Sequence, residues 1–151
     1  MKTIVPLILL FALVVSVNVA EADALDSAPV EETIIFGSYE QGSGQAPIEW
    51  IVLDRQQDRV LLLSKYTLES KPFHEVEDWD VTWADCTLRS WLNGDFLAKA
   101  FSEEERARII PVTNTAANTP DTQDSVFLLS LDELNTYLPE EESRIAGATE
   151  H

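Results

Sequence analysis

IEWIVLD-RQQD-RVLLLSK, residues 48–65, is the stretch on which the fold turns. In its first part Ile48, Trp50 and Val52 would face one way and Glu49 and Ile51 the other, the period of two of a half-buried strand. Its last part, RVLLLSK at 59–65, is a continuous aliphatic run of strand length. RQQD is short enough to join the two as a hairpin. The pair is therefore expected at the centre of an antiparallel sheet.

Upstream, TIIFGSY (33–39) is a short β-type run broken at Gly37, and a turn-rich loop with Gly42, Gly44 and Pro47 follows it. Downstream, YTLESKPFHEVEDWDVTW (66–83) has no period and carries Pro72, so it reads as a long loop, a kind of segment that often carries function. From Ala84 the pattern turns helical: Ala84, Leu88, Trp91 and Leu92 share a face, with Gly94 placed to end the helix. Asp95 would cap a second helix, FLAKAF. Ser102 and Glu105 form a capping box for a third, EEERARI, stopped by Pro111. Residues 113–125 read as a polar loop, VFLLSL (126–131) as a buried strand, and Ser130 with Glu133 as a second capping box for DELNTYL. Short strands and helices without regular β-α-β spacing make the class α+β, mainly an antiparallel sheet with short helices. The expected organisation is a signal peptide (1–22), an acidic leader (23–32), one domain (33–138) and a frayed acidic tail (139–151).

The start, MKTIVPLILLFALVVSVNVAEADALDS, has Lys2, an apolar run from Ile4 to Val17 and small residues beyond. A spanning helix needs about 20 apolar residues, and this run is shorter. It predicts a secretory signal cleaved after Ala22 or Ala24, and a secreted product without a membrane segment. The formal net charge of −17 sets aside nucleic acid and anionic lipid as partners, because both demand concentrated Lys and Arg. With Cys86 as the single cysteine no internal disulfide can form, so the fold must rest on its apolar core.

Several residues could carry chemistry or contacts. HEVEDWD (74–80) gathers carboxylates suited to a hard cation, and Glu77, Asp78 and Asp80 are the weak candidates for calcium. The central glycine and terminal glutamate of an EF-hand loop are missing. DWDVT matches the D-x-D-x-T string of aspartate-nucleophile phosphatases, but no apolar strand delivers it. No catalytic residue and no cofactor is assigned. Helical spacing stacks Cys86 with Arg89 and Asn93, and a guanidinium beside the thiol would make it reactive. Burial is the competing and favoured expectation, since free cysteine is among the most buried residue types. Trp50 and Trp91 fall on core-facing positions. Trp79 and Trp83 flank the loop-to-helix junction and, with Asp80 and Arg89, are the ligand-binding candidates.

FGSY (36–39), PIEWIVLD (47–54), LLLSKY (61–66), TW-x-x-C-x-L-R-x-W-L-N (82–93) with F-x-x-x-AF-x-x-E-E (96–105), and VFLLSLDE (126–133) together resemble an uncharacterised bacterial domain family of exported or surface-attached proteins. The resemblance covers roughly residues 33–138 and implies no established activity. VTW-x-D followed by WL is more distantly similar to formylglycine-generating enzymes and other C-type-lectin-like domains, which implies a partial C-type-lectin-like fold. Members of the resembled family continue with a segment of the type WWLRSPG and a closing strand of the type GVRPA. Neither occurs here, so the resemblance implies a domain shortened at its C-terminus, with an exposed sheet edge through which it could self-associate.

The leading expectation is a secreted, non-enzymatic module binding an extracellular protein or glycan, with the 67–83 loop as its contact surface. An enzyme using Cys86 with Arg89, or the acidic loop with a metal, is the alternative. A shortened domain without independent function is the third reading.

Overall fold

A computed structural model describes residues 13–18, 33–42, 44–76, 80–115, 119–140, 144 and 147–148. Its main sheet contains β1 (Val14–Asn18), β2 (Thr33–Glu40), β3 (Gln45–Arg55), β4 (Arg59–Ser64) and, after β5 (Tyr66–Thr67), β6 (Val112–Asn114) and β7 (Thr122–Asp124), the short β8 (Val126–Phe127). The order across it is β2-β3-β4-β1-β8, every pair antiparallel. β6 and β7 form a separate antiparallel hairpin, and β5 pairs in parallel with β9 (Gly147–Ala148). The fold is α+β with a mainly antiparallel sheet.

The hairpin at 48–65 forms as the alternation predicts. Ile48 and Trp50 are buried against the main core, and Trp50 Nε1–H donates to Phe36 O at 2.6 Å. Val52 packs against the same core, and Leu53, the next residue, faces a second apolar cluster on the other side of the sheet, as strand alternation requires. The unbroken aliphatic run of β4 has a simple cause. Val60 and Leu62 face the main core, whereas Leu61 and Leu63 face the second cluster, so both sides of the strand are covered.

The structure departs from the expected element bounds in several places. The helix does not begin at Ala84 or end at Gly94: α1 (Thr87–Trp91) continues through a π-helical turn, Leu92–Phe96, into α2 (Leu97–Ala100). Asn93 Nδ2–H donates to Arg89 O, and the Leu97 N–H reaches Leu92 O, which widens the turn instead of stopping the rod. Asp95 therefore lies inside this rod and caps no separate helix. Within 113–125 the chain forms β6 and β7 rather than a featureless loop. Finally, residues 14–18 are not outside the fold. They form β1, between β4 and β8, so the folded region starts well before Thr33. A run of β-branched valines suits a core strand as well as a signal segment. Within 139–151, Gly147–Ala148 forms the two-residue strand that pairs with β5.

Both capping boxes are present, at α3 (Glu103–Arg108) and α4 (Leu131–Tyr137). Gly37 lets β2 pass the end of α2. Its φ is 74°, and a Cβ there would lie 2.7 Å from Ala100 O and from the Phe101 ring, so a side chain would be both strained and obstructed. Phe36, Trp50, Phe96 and Phe101 pack together beneath this crossing.

Candidate functional site

The densest polar arrangement is centred on Asp124, a residue with no solvent exposure. Its Oδ1 accepts from Arg89 Nε at 2.6 Å. Its Oδ2 accepts from Trp83 Nε1 (2.9 Å), Asn114 Nδ2 (2.8 Å) and the Thr122 hydroxyl (2.6 Å). Burial by itself raises the Asp124 carboxyl, but hydrogen bonds from Thr122, Trp83, Asn114 and Arg89 together outweigh it and hold the group below its ordinary value. Arg89 also donates to Ala84 O and Gln123 O. Asn93 completes the link: its Oδ1 accepts the Ser125 and Val126 N–H groups at 2.7 and 3.1 Å, while its Nδ2 donates to Val126 O at 2.9 Å. One helix face thus clamps β7 and β8.

The start of α1 is equally well supplied. The Thr87 N–H donates to His74 Nδ1, the Leu88 N–H to Phe73 O, and the Arg89 N–H to Cys86 Sγ at 3.4 Å. Loop residues therefore satisfy donors that a helix terminus leaves without intrahelical partners. Cys86 is the N-cap, one position before the helix, and not a member of its surface stripe as helical spacing suggested. It is fully buried, and its thiol also donates to Trp83 O. Burial pushes the Cys86 thiol up, against the opposing pull of the Arg89 N–H and guanidinium. A thiol in that condition supplies little thiolate at neutral pH.

Residues 57–150 match the family described as Domain of unknown function (DUF6273). The chain belongs to this family. The matched range holds the whole Asp124 cluster together with β4 and β8, and it leaves out β1, β2 and β3. No curated protein and no solved structure matches the chain.

Of the residues singled out in the DUF6273 sequence, Trp83 and Arg89 are brought together on Asp124, with Cys86 beside them. Asp80 is exposed in the preceding loop. Trp79, Glu77 and Asp78 lie outside the described residues. Among the described residues no three His, Cys, Asp or Glu side chains converge as a metal site, and no helix is long and apolar enough to cross a membrane. Trp83 is half-buried, 6.4 Å from Phe73 between ring centroids. Asp124, Asn114 and Thr122 were not legible as site residues. The available signal was the alternation Thr122-x-Asp124-x-Val126, a strand period whose inward positions are polar.

Beside this cluster opens a groove of about 420 Å³. Trp83, Val112, Pro120 and Leu128 supply apolar wall; Thr113, Asn114, Thr115, Thr119, Ser130 and Glu133 supply hydroxyl, amide and carboxylate groups. An aromatic wall with neutral donors and acceptors around it can take a ligand that offers both an apolar face and hydroxyl or amide groups.

Proposed function

We propose that this chain is a secreted, non-enzymatic binding module for an extracellular protein segment or glycan, using the groove beside Asp124. The observation that carries the reading is the position of Trp83: its indole lines the groove while its N–H is anchored to a buried carboxylate. An aromatic wall fixed in that way loses little side-chain freedom on binding. Arg89 and Cys86 serve here as supports for that wall, through Asp124 and the helix start respectively. A partial C-type-lectin-like architecture of bacterial origin belongs to the same proposal. Calcium is not required by it.

Thr115 is exposed and lines the groove, so Thr115→Arg should block it while leaving the fold intact. A glycan array and a panel of extracellular proteins, followed by calorimetric titration of any ligand found, test the reading. Loss of binding in Thr115→Arg at unchanged Tm is expected. Unaltered binding in that variant would remove the groove from the proposal, and a blank panel would remove the binding reading itself.

A further inference from the structure

Residues 13–18 have two incompatible roles in one chain. They belong to the apolar run of the expected signal peptide, and they also fill a central place in the sheet. β1 pairs with β4 along its whole length, from Val14 opposite Leu63 to Asn18 opposite Arg59, and with Phe127 and Val126 of β8 on its other side. Further bonds hold it there. The Ser64 N–H donates to Leu13 O at 2.8 Å, the Leu13 N–H to the Ser64 hydroxyl at 2.9 Å, and the Ile110 N–H to Ser16 O at 2.7 Å. Leu13, Val15 and Val17 enter the main core, whereas Val14 enters the second cluster with Leu63 and Phe127.

All of these contacts are non-covalent. The chain path from β1 to β2 runs through residues 19–32, and both expected cleavage points, after Ala22 and Ala24, fall within it. Cutting there severs β1 from the rest of the domain. Its departure would leave β4 and β8 with unpaired backbone groups along a slot whose floor is apolar on both faces, which is the template an added strand recognises.

We propose that the slot between β4 and β8 is a strand-acceptor site, filled after export by an extended segment of another exported polypeptide. This rests on the export reading above. The occupant's chemistry follows from the residues seated there now. It has apolar side chains at the positions of Leu13, Val15 and Val17, a small β-branched residue at that of Val14, and a small one at that of Ser16, which is 4% exposed. It runs antiparallel to β4 and β8. The chain's charge of −17 favours neutral or basic flanks on such a segment.

The full chain provides the test. A specific protease site is placed within residues 25–30, the intact protein is folded and then cut, and a labelled peptide of residues 11–20 is added in excess. The expected result is that the N-terminal fragment stays bound after cutting and is displaced by the labelled peptide. A peptide carrying Val15→Asp and Val17→Asp should compete at least about tenfold less well, since it would bury two carboxylates in an apolar slot. If the fragment falls away and the remainder keeps its Tm and takes up no peptide, the slot is not an acceptor. Equal competition by the Asp peptide overturns it as well. The export reading is measured separately, by the mass of the product released from an exporting cell. A released product beginning at Met1 defeats cleavage, and with it the vacating of the slot, and leaves the exchange result standing; one beginning at Asp23 or Leu25 with no peptide exchange defeats the acceptor site alone.

Discussion

The capping box at Ser102–Glu105 and the one at Ser130–Glu133 make the same local bonds and have different neighbours. In each, the serine side chain accepts the N–H three residues on, and the glutamate accepts the serine N–H at 2.8 Å. Glu133 Oε2 takes in addition the Ser130 hydroxyl, so its bonds stay within one helical turn. Glu105 spends its second oxygen on the Gly37 N–H, at 3.0 Å, and so ties α3 to the sheet. Burial raises the Glu105 carboxyl, but its bonds to Ser102 and Gly37 and the charge of Arg108 outweigh that and leave it lowered. Identical sequence signals thus have unequal tertiary consequences, because the difference lies in a residue far away along the chain. Asp124 is the limit of the series: a carboxylate with every oxygen used, and with Arg89 and Trp83 donating from a distant segment.

The comparison can be broken most forcefully at Asp124. Asp124→Ala would leave the Arg89 guanidinium and three polar groups without their acceptor, and a loss of about 3–5 kcal/mol is expected in urea unfolding. Gly37→Ala comes next, at about 2–4 kcal/mol, from positive-φ strain and from the clash with Ala100 O. If the Gly37 variant were as stable as the parent, the crossing of β2 over the end of α2 would be looser than its geometry implies. Glu105→Ala should cost about 1.5–3 kcal/mol, the range for a hydrogen bond to a charged group. Glu133→Ala should cost about 1 kcal/mol, the value of a cap alone. Equal losses at the two sites would dissolve the distinction between them.

Acid titration sharpens the same contrast by a smaller margin. Asp124 and Glu105 are both lowered from ordinary values of 3.8 and 4.5. A lowered folded value means that their stabilisation is complete above the ordinary value and is lost as pH falls through the folded one. Stability measured by urea midpoint should therefore fall below about pH 4.5. Asp124→Asn should show a shallower decline below pH 3.8, the ordinary value of the group it removes. An unchanged acid limb in that variant would show that Asp124 does not carry the effect.

Much of the frame was readable because its causes are local. Alternation at Ile48 and Trp50, the aliphatic run of β4 and both S-x-x-E boxes act over a few residues, and strand period and capping geometry follow from them. The helix does not end at Gly94, where its sequence signal lies, because Asn93, whose side chain binds Arg89 O and the backbone of β8, keeps the rod going. The role of Asp124 is invisible in the sequence because nothing within 113–125 tells of a guanidinium and an indole arriving from elsewhere.

The sequence by itself determined the α+β class, the hairpin at the centre of the sheet, the helix starts at Ser102 and Ser130, and the acidity of the chain. Only the tertiary structure decided that Cys86 is a buried helix cap, that Trp83 and Arg89 meet on Asp124, and that the valines of residues 14–18 fill a place between β4 and β8. Periodicity and capping are properties of neighbouring residues, so a sequence displays them. Which carboxylate receives a distant donor, and which strand closes a sheet, depend on contacts across the chain that exist only once it is folded.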